Sequence, residues 1–307
     1  MPESPAISVR DLHKSYGSHE AVRGIDFEVA AGEVFGFLGP NGAGKTTTIE
    51  ILEGYRPRSS GRVSVLGGDP AHPTREWRDR IGLVLQECEF EPLLTVRETL
   101  TLFASFYSDP RPVDQAIELV GLGDKADARI GSLSGGQKRR ADVAVGLIGD
   151  PDLVFLDEPT TGFDPTARRD AWNMIEGLKE LGKTVFLTTH YMDEAQHLAD
   201  RVAILREGSI VAQGPTEELG ANLGRRSVVR FRLPAAIAAE ELRSAIEAEV
   251  SLSGNEASFE SEHPQRQLYR LLSLAEERGV ELEGLEVRQP SLEDIFLELT
   301  SADAEAR

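Results

Sequence analysis

Three short stretches of this 307-residue chain combine residue types and spacings that can do chemistry. The first is Gly39-Pro40-Asn41-Gly42-Ala43-Gly44-Lys45-Thr46-Thr47, which fits G-x-x-x-x-G-K-[ST] and lies between an apolar run and a helical pattern. Glycines at that spacing let backbone N–H groups converge on phosphate oxygens, and the next helix points its positive dipole end at them. Lys45 is then placed for β- and γ-phosphates and Thr46 for a magnesium ion. The second is Leu153-Val154-Phe155-Leu156-Asp157-Glu158, an apolar run ending in two carboxylates. Successive strand residues point to opposite faces, so Asp157 can reach a metal shell while Glu158 is offered to a water attacking the terminal phosphate. A carboxylate at a strand end can also cap the next turn, which Pro159-Thr160-Thr161-Gly162 could use. The third is Ser134-Gly135-Gly136-Gln137, where a helix start offers an anion a hydroxyl, unobstructed N–H groups and a dipole. Ser134 caps its helix under either reading.

Chemistry of this kind needs strands that end side by side. Strand-like and helix-like patterns alternate from Ile7 to about Ala203, the order of an α/β domain with a largely parallel sheet. The strand candidates are 25–29, 34–38, 81–85, 153–156 and 184–188, several of them continuous apolar runs suited to burial on both faces. Helices are predicted to start at Lys45, near Thr95, at or just after Ser134, at Pro165 and near Tyr191. A hairpin over 204–211, turning at Glu207-Gly208, closes the series before Gly214-Pro215. After 220–226 the pattern restarts with the alternating Val228-Val229-Arg230-Phe231-Arg232-Leu233. The C-terminal remainder predicts a small α/β unit: a helix over 238–250, a strand near 257–260, a helix over 265–278, a strand over 285–288 and a last helix from Ser291. The expected domains are therefore 1–222 and 223–307.

Composition narrows the function classes. With 33 Lys+Arg against 52 Asp+Glu the formal charge is −19, so holding nucleic acid by bulk attraction is excluded. From Arg225 to Arg307 ten basic residues face seventeen acidic ones, about −7 net, so the C-terminal part is no basic tail either. The only cysteine, Cys88, can form no internal disulfide and belongs to no zinc-type cluster, which fits a reducing cytosol. No stretch approaches the ~20 apolar residues that cross a bilayer, and 1–10 has no apolar signal core, so any membrane role is expected to be peripheral.

Leu133-Ser134-Gly135-Gly136-Gln137, ahead of the strand ending at Asp157, resembles the signature sequence of ATP-binding cassette (ABC) proteins. The further motifs come in the family's order from Ile7 to about Gly220. The resemblance implies a P-loop cassette with a mainly parallel sheet core, an antiparallel β subdomain and a helical subdomain. It implies ATP and Mg²⁺ as cofactors, bound by Gly39 to Thr47 of one copy and Ser134 to Gln137 of a second copy arranged head to tail. Residue by residue, Tyr16 in Lys14-Ser15-Tyr16-Gly17 matches the aromatic that stacks on adenine. Gln86 matches the Q-loop glutamine that reaches magnesium and the attacking water, so Thr46, Gln86 and Asp157 form the implied metal set. Asp164 matches the D-loop aspartate, with Phe163 standing where Leu is usual. His190 matches the switch histidine on the γ-phosphate, making Glu158, His190 and Gln86 the implied catalytic residues.

Thr188-Thr189-His190-Tyr191-Met192-Asp193-Glu194-Ala195 and the terminal run from Pro290 to Thr300 look like the ATP-binding subunits of the daunorubicin-resistance and sodium-efflux type. Those subunits carry a small C-terminal domain and pair with a separately encoded, multi-spanning membrane permease of the type-2 exporter class. The resemblance thus implies an exporter ATPase at the cytoplasmic face of the membrane, with the permease docking near 86–99. In the terminal run, Leu292, Ile295, Phe296 and Leu299 also suit an amphipathic helix packing on its own domain. Dimer support, regulation and partner contact are all compatible with that domain. Another class of reading is a soluble, non-transport ABC ATPase or a nucleotide-dependent regulator. The single cassette without a long coiled-coil insertion weighs against the first, and the full set Lys45, Gln86, Asp157, Glu158 and His190 against the second.

Overall fold

The computed structural model describes residues 4–84, 90–219, 226–288, 292–294 and 296. The chain divides into two compact units after Thr216. In chain order the first contains β1 (Ile7–Tyr16), β2 (His19–Val29), β3 (Val34–Leu38), α1 (Lys45–Leu52), β4 (Ser60–Val65), α2 (Arg75–Asp79) and β5 (Ile81–Val84). It continues with α3 (Val96–Ala104), α4 (Val113–Leu119), α5 (Gly135–Leu147), β6 (Leu153–Asp157), α6 (Pro165–Glu180), β7 (Thr184–Thr189), α7 (Met192–Leu198), β8 (Arg201–Arg206) and β9 (Ser209–Pro215).

The central sheet runs β5-β6-β7-β3-β8-β9, parallel throughout except for the antiparallel edge strand β9. Every residue of β3 and β7 is buried, as continuous apolar strands covered on both faces must be. On one face Phe35, Phe37 and Phe186 meet Phe27 of a separate antiparallel sheet, β2-β1-β4, with Phe155 against Phe186. Ring centroids there lie 5.4–6.0 Å apart, offset contacts that add to the area buried. On the other face Val154, Leu156, Val185 and Leu187 join a core shared with α3 to α6. Helix α5 comes down on β5 because both contact residues are glycines: a Cβ on Gly82 would stand 2.1 Å from the carbonyl oxygen of Gly146.

Register does the positioning. Leu38 pairs with Thr189, and Asp157 with Thr188, so β3, β6 and β7 reach the carboxyl edge of the sheet together. In open α/β sheets that edge is where ligands bind. The strand candidates of the core recur with shifts of a residue or two, except that β2 starts at His19 and the closing hairpin is longer, β8 and β9 together. The antiparallel strands β1 and β4 carry no continuous apolar run. β1 is interrupted near Asp11, whose φ is +50°, where its pairing with β2 shifts register.

The second unit contains β10 (Ser227–Arg232), α8 (Ala239–Ile246), β11 (Val250–Ser253), β12 (Glu256–Ser261), α9 (Pro264–Glu277) and β13 (Glu286–Arg288). Its sheet order is β11-β12-β10-β13 with every neighbour antiparallel, the split β-α-β-β-α-β arrangement of ferredoxin-like folds. Val229, Phe231, Leu242, Ile246, Phe259 and Leu271 form its core. The helix expected over 238–250 is shorter: it ends at Ile246, Glu247 adopts a left-handed φ of 55°, and Val250 opens β11. Of the expected terminal helix, 292–294 are helical and Leu292 is buried, while Ser291, Ile295 and Leu299 lie outside the described residues.

Candidate nucleotide site

β3 delivers the chain into the glycine loop, and α1 starts at Lys45 as the spacing predicts. Gly44 caps α1 with φ 105° and ψ 6°, and a Cβ there would sit 2.5 Å from the Ala21 carbonyl oxygen; only glycine fits. Gly42 is also left-handed, with φ 81°. Asn41, Gly42 and Thr46 are exposed, while Ala43 and Lys45 are buried. Lys45 Nζ, on a side chain 5% exposed, donates to the Gly39 carbonyl at 2.8 Å and lies 3.4 Å from Glu158 Oε1. That folds the ammonium back over the loop it must neutralise.

Glu158 is held by more than its neighbours in sequence. Its φ is +46°, an uncommon backbone for a non-glycine residue, and its N–H donates to both Thr188 O, at 3.0 Å, and Thr188 Oγ1, at 3.1 Å. Thr161 Oγ1 donates to Glu158 Oε2 at 3.2 Å, and His190 Nδ1 stands 3.2 Å from the same oxygen. Burial by itself would raise the Glu158 pKa, but Lys45 and His190 together hold it below the ordinary carboxylate value. The result is an ionised carboxylate, 12% exposed, between a lysine and a histidine.

Asp157 behaves differently. Burial raises its pKa, opposed by a short hydrogen bond from Thr188 Oγ1. Its neighbour Glu53 is pushed up to about 8 by burial, with Asp157 and Glu50 adding to the rise. Thr46, Glu50, Glu53 and Asp157 open on one cavity of about 960 Å³. No three His, Cys, Asp or Glu among the described residues are arranged to hold a metal by themselves. A hydroxyl and a carboxylate facing one cavity, amid carboxylates that repel, fit a hard divalent cation that keeps positions for phosphate oxygens.

Ser134 caps α5: Gln137 N donates to Ser134 Oγ at 3.3 Å, and Ser134 N to Gln137 Oε1 at 3.0 Å. Ser134 and Gly135 are exposed, and a Cβ on Gly135 or Gly136 would meet nothing within 4 Å. The signature therefore presents an open helix start, and no hydrogen bond or ion pair among the described residues joins 134–137 to 39–47. Asp164 caps α6, with its Oδ1 accepting from Thr166 N and Ala167 N at 2.9 Å each. Phe163 is half-buried in a shallow groove with Gly136 and Met174. Tyr16 is 40% exposed, with Lys14 and Arg56 over its ring at 5.0 and 5.4 Å. Gln86, with the rest of 85–89, lies outside the described residues. Structure thus brings Lys45, Asp157, Glu158 and His190 to one edge and leaves Ser134 to Gln137 at a separate surface. Sequence reasoning missed Thr188, which ties both carboxylate positions to β7; it is one of three threonines in that strand, and nothing local singles it out.

Residues 22–161 match the family described as ABC transporter, and residues 227–291 match the C-terminal domain described for ABC transporter domain-containing proteins. The chain is 38% identical to the daunorubicin/doxorubicin resistance ATP-binding protein DrrA of Streptomyces peucetius, over 98% of this chain and 94% of that one. The chain belongs to the ABC transporter ATP-binding proteins. Further relatives are a Nod factor export ATP-binding protein of Burkholderia lata, 37% identical over 99% of both chains, and the linearmycin resistance ATP-binding protein LnrL of Bacillus subtilis, 33% identical over 96% of this chain and 98% of that one. Among solved structures, cbiO1 from Clostridium perfringens, part of an ABC transporter complex, superposes with a TM-score of 0.64 at 30% identity, covering 72% of this chain and 92% of that one. An ABC-transporter cassette in its ADP conformation gives 0.64 at 25% identity, covering 72% and 94%. As an ABC ATPase the chain binds and hydrolyses ATP, and no helix among the described residues is long and apolar enough to cross a membrane.

Proposed function

We propose that this chain powers an exporter: two copies, head to tail, bind ATP on a separately encoded membrane permease and hydrolyse it there. The observation that carries the hydrolytic part is Glu158 poised between Lys45 and His190. Lys45, released from the Gly39 carbonyl, neutralises the β- and γ-phosphates. Glu158, ionised, accepts a hydrogen bond from a water molecule and orients its oxygen toward the γ-phosphorus; that P–O bond forms as the bond to the β–γ bridging oxygen breaks and ADP departs. His190 holds a γ-phosphate oxygen, and Tyr16 stacks on adenine. Thr46 and Asp157, with Gln86, would hold Mg²⁺, whose charge offsets that of the phosphates. Ser134 to Gln137 of the second copy caps the γ-phosphate from the opposite side. Little covalent chemistry is asked of the protein, so positioning and charge neutralisation carry the rate.

Export is supported by the names of the relatives, which are daunorubicin/doxorubicin resistance and Nod factor export. Phe90 packs edge-on to Phe103 at 5.7 Å, leaving Leu93, Leu102 and Phe106 exposed as a surface for the permease. The test is Glu158→Gln. It should keep ATP affinity within about threefold and lose turnover by about 100-fold or more, and the wild-type chain should co-purify with a multi-spanning membrane protein. Turnover retained in Glu158→Gln removes Glu158 from its role; a chain that purifies without any membrane partner favours the soluble reading.

A further inference from the structure

Helix α5 carries two charges into the interior: Arg139 and Asp142 are 7% and 9% exposed, and Arg139 Nη1 lies 3.5 Å from Asp142 Oδ2. For stability alone, a buried ion pair gains little over an apolar pair of similar volume. Such a pair would suit the surroundings, since Val143, Leu156, Ala171, Met174 and Ile175 line the small cavity shared by Arg139 and Pro159. What the arginine adds is a directed bond: its Nε donates to the Pro159 carbonyl oxygen at 3.1 Å, away from water.

Pro159 directly follows Glu158, whose φ of +46° is a backbone that persists only where the surroundings hold it. On the N-terminal side of that residue the hold comes from β7: Thr188 accepts the Glu158 N–H with both its carbonyl and its hydroxyl oxygen. On the C-terminal side it comes from α5, through the Arg139 bond to the next carbonyl in the chain. The Glu158 side chain therefore leaves the backbone between two anchors, one on the sheet and one on a helix. Asp142, one turn along α5 from Arg139, keeps the guanidinium charge paired while Nε makes that bond. We propose that Arg139 is a positioning residue for hydrolysis: it fixes the backbone just after Glu158 to helix α5, and so keeps the carboxylate aimed at the attacking water.

This inference rests on the role given to Glu158 above. Arg139→Met removes the donor and fills the space, but leaves Asp142 buried without its partner. Arg139→Met combined with Asp142→Leu removes both charges, so its unfolding midpoint should lie near that of the wild type. Both variants are expected to lower kcat for Mg-ATP about tenfold with KM changed less than about twofold, the cost of misplacing a reacting group rather than of losing substrate. Arg139→Lys keeps a charge for Asp142 and a donor of shorter reach, and should lose only about threefold. Unfolding midpoints are measured beside the kinetics. A kcat loss that persists in the double variant at a near-wild-type midpoint supports positioning. Wild-type kcat in the double variant, or a kcat that recovers with the midpoint, overturns it. If Arg139→Met does not fold, the double variant decides; if neither folds, Arg139→Lys decides on the same two readouts. Turnover retained in Glu158→Gln would contradict the functional reading instead, so the two failures are distinguishable.

Discussion

At the scale of single residues, the proposed chemistry rests on two carboxylates adjacent in sequence and unlike in environment. Glu158 is kept ionised by Lys45 and His190, whereas Asp157 is half-buried beside Glu53 and Glu50. The motif spacing makes Lys45, Asp157, Glu158 and His190 legible, because phosphate chemistry constrains those residue types tightly. It does not make Thr188 legible, since a threonine in a strand is ordinary and its value lies in the register that sets it against β6. Thr188 bonds the Asp157 carboxylate and the Glu158 backbone at once. Thr188→Val preserves β-branching and volume, so the strand should form and the site should loosen. Its kcat for ATP is expected to fall about tenfold or more, as when groups that orient catalytic ligands are removed, with an unfolding midpoint close to wild type. Steady-state kinetics beside a thermal melt checks both halves.

At the scale of elements, the central strands β3, β5, β6 and β7 read correctly because apolar composition alone carries the signal, and β10, β12 and β13 of the second unit also lie within a residue or two of their expected ranges. β1 and β4 pair in a separate antiparallel sheet and alternate imperfectly. β11 begins at the end of the stretch predicted as a helix, because Ala, Glu and Val run through 238–250 without a glycine or proline, and the break is a left-handed Glu247. Helix α5 shows what an element can tolerate. Its Asp142 is 9% exposed, 3.5 Å from Arg139, with burial pushing its pKa up to about 6 despite that partner. A carboxyl with a folded pKa above its unfolded value stabilises most when protonated in both states. That contribution is present below about pH 4 and is lost as pH rises to about 6. Asp142→Asn removes the dependence, so its stability relative to wild type should climb across that window by up to about 3 kcal/mol and level off above it. Urea unfolding of both proteins between pH 4 and 7 measures the difference; a gain that falls with rising pH would invert the sign.

At the scale of the whole molecule, in the proposed function a chain of net charge −19 confines its anion binding to two small backbone-rich cradles. The restart of the sequence pattern after 220–226 marks a second unit, but its sheet order joins strands far apart in sequence, which no local pattern contains. One cradle is completed by Lys45; the other, at Ser134, is exposed with open space before its glycines. In the proposed head-to-tail pair of chains, that second cradle would have a nucleotide to bind. The most direct test of the account is therefore sedimentation of the Glu158→Gln chain with and without saturating Mg-ATP. The account predicts a single chain without nucleotide, a species of twice that mass with it, and no such species when Ser134→Arg is added. A chain that stays single at saturating Mg-ATP, or pairs equally well with Ser134→Arg, would contradict it.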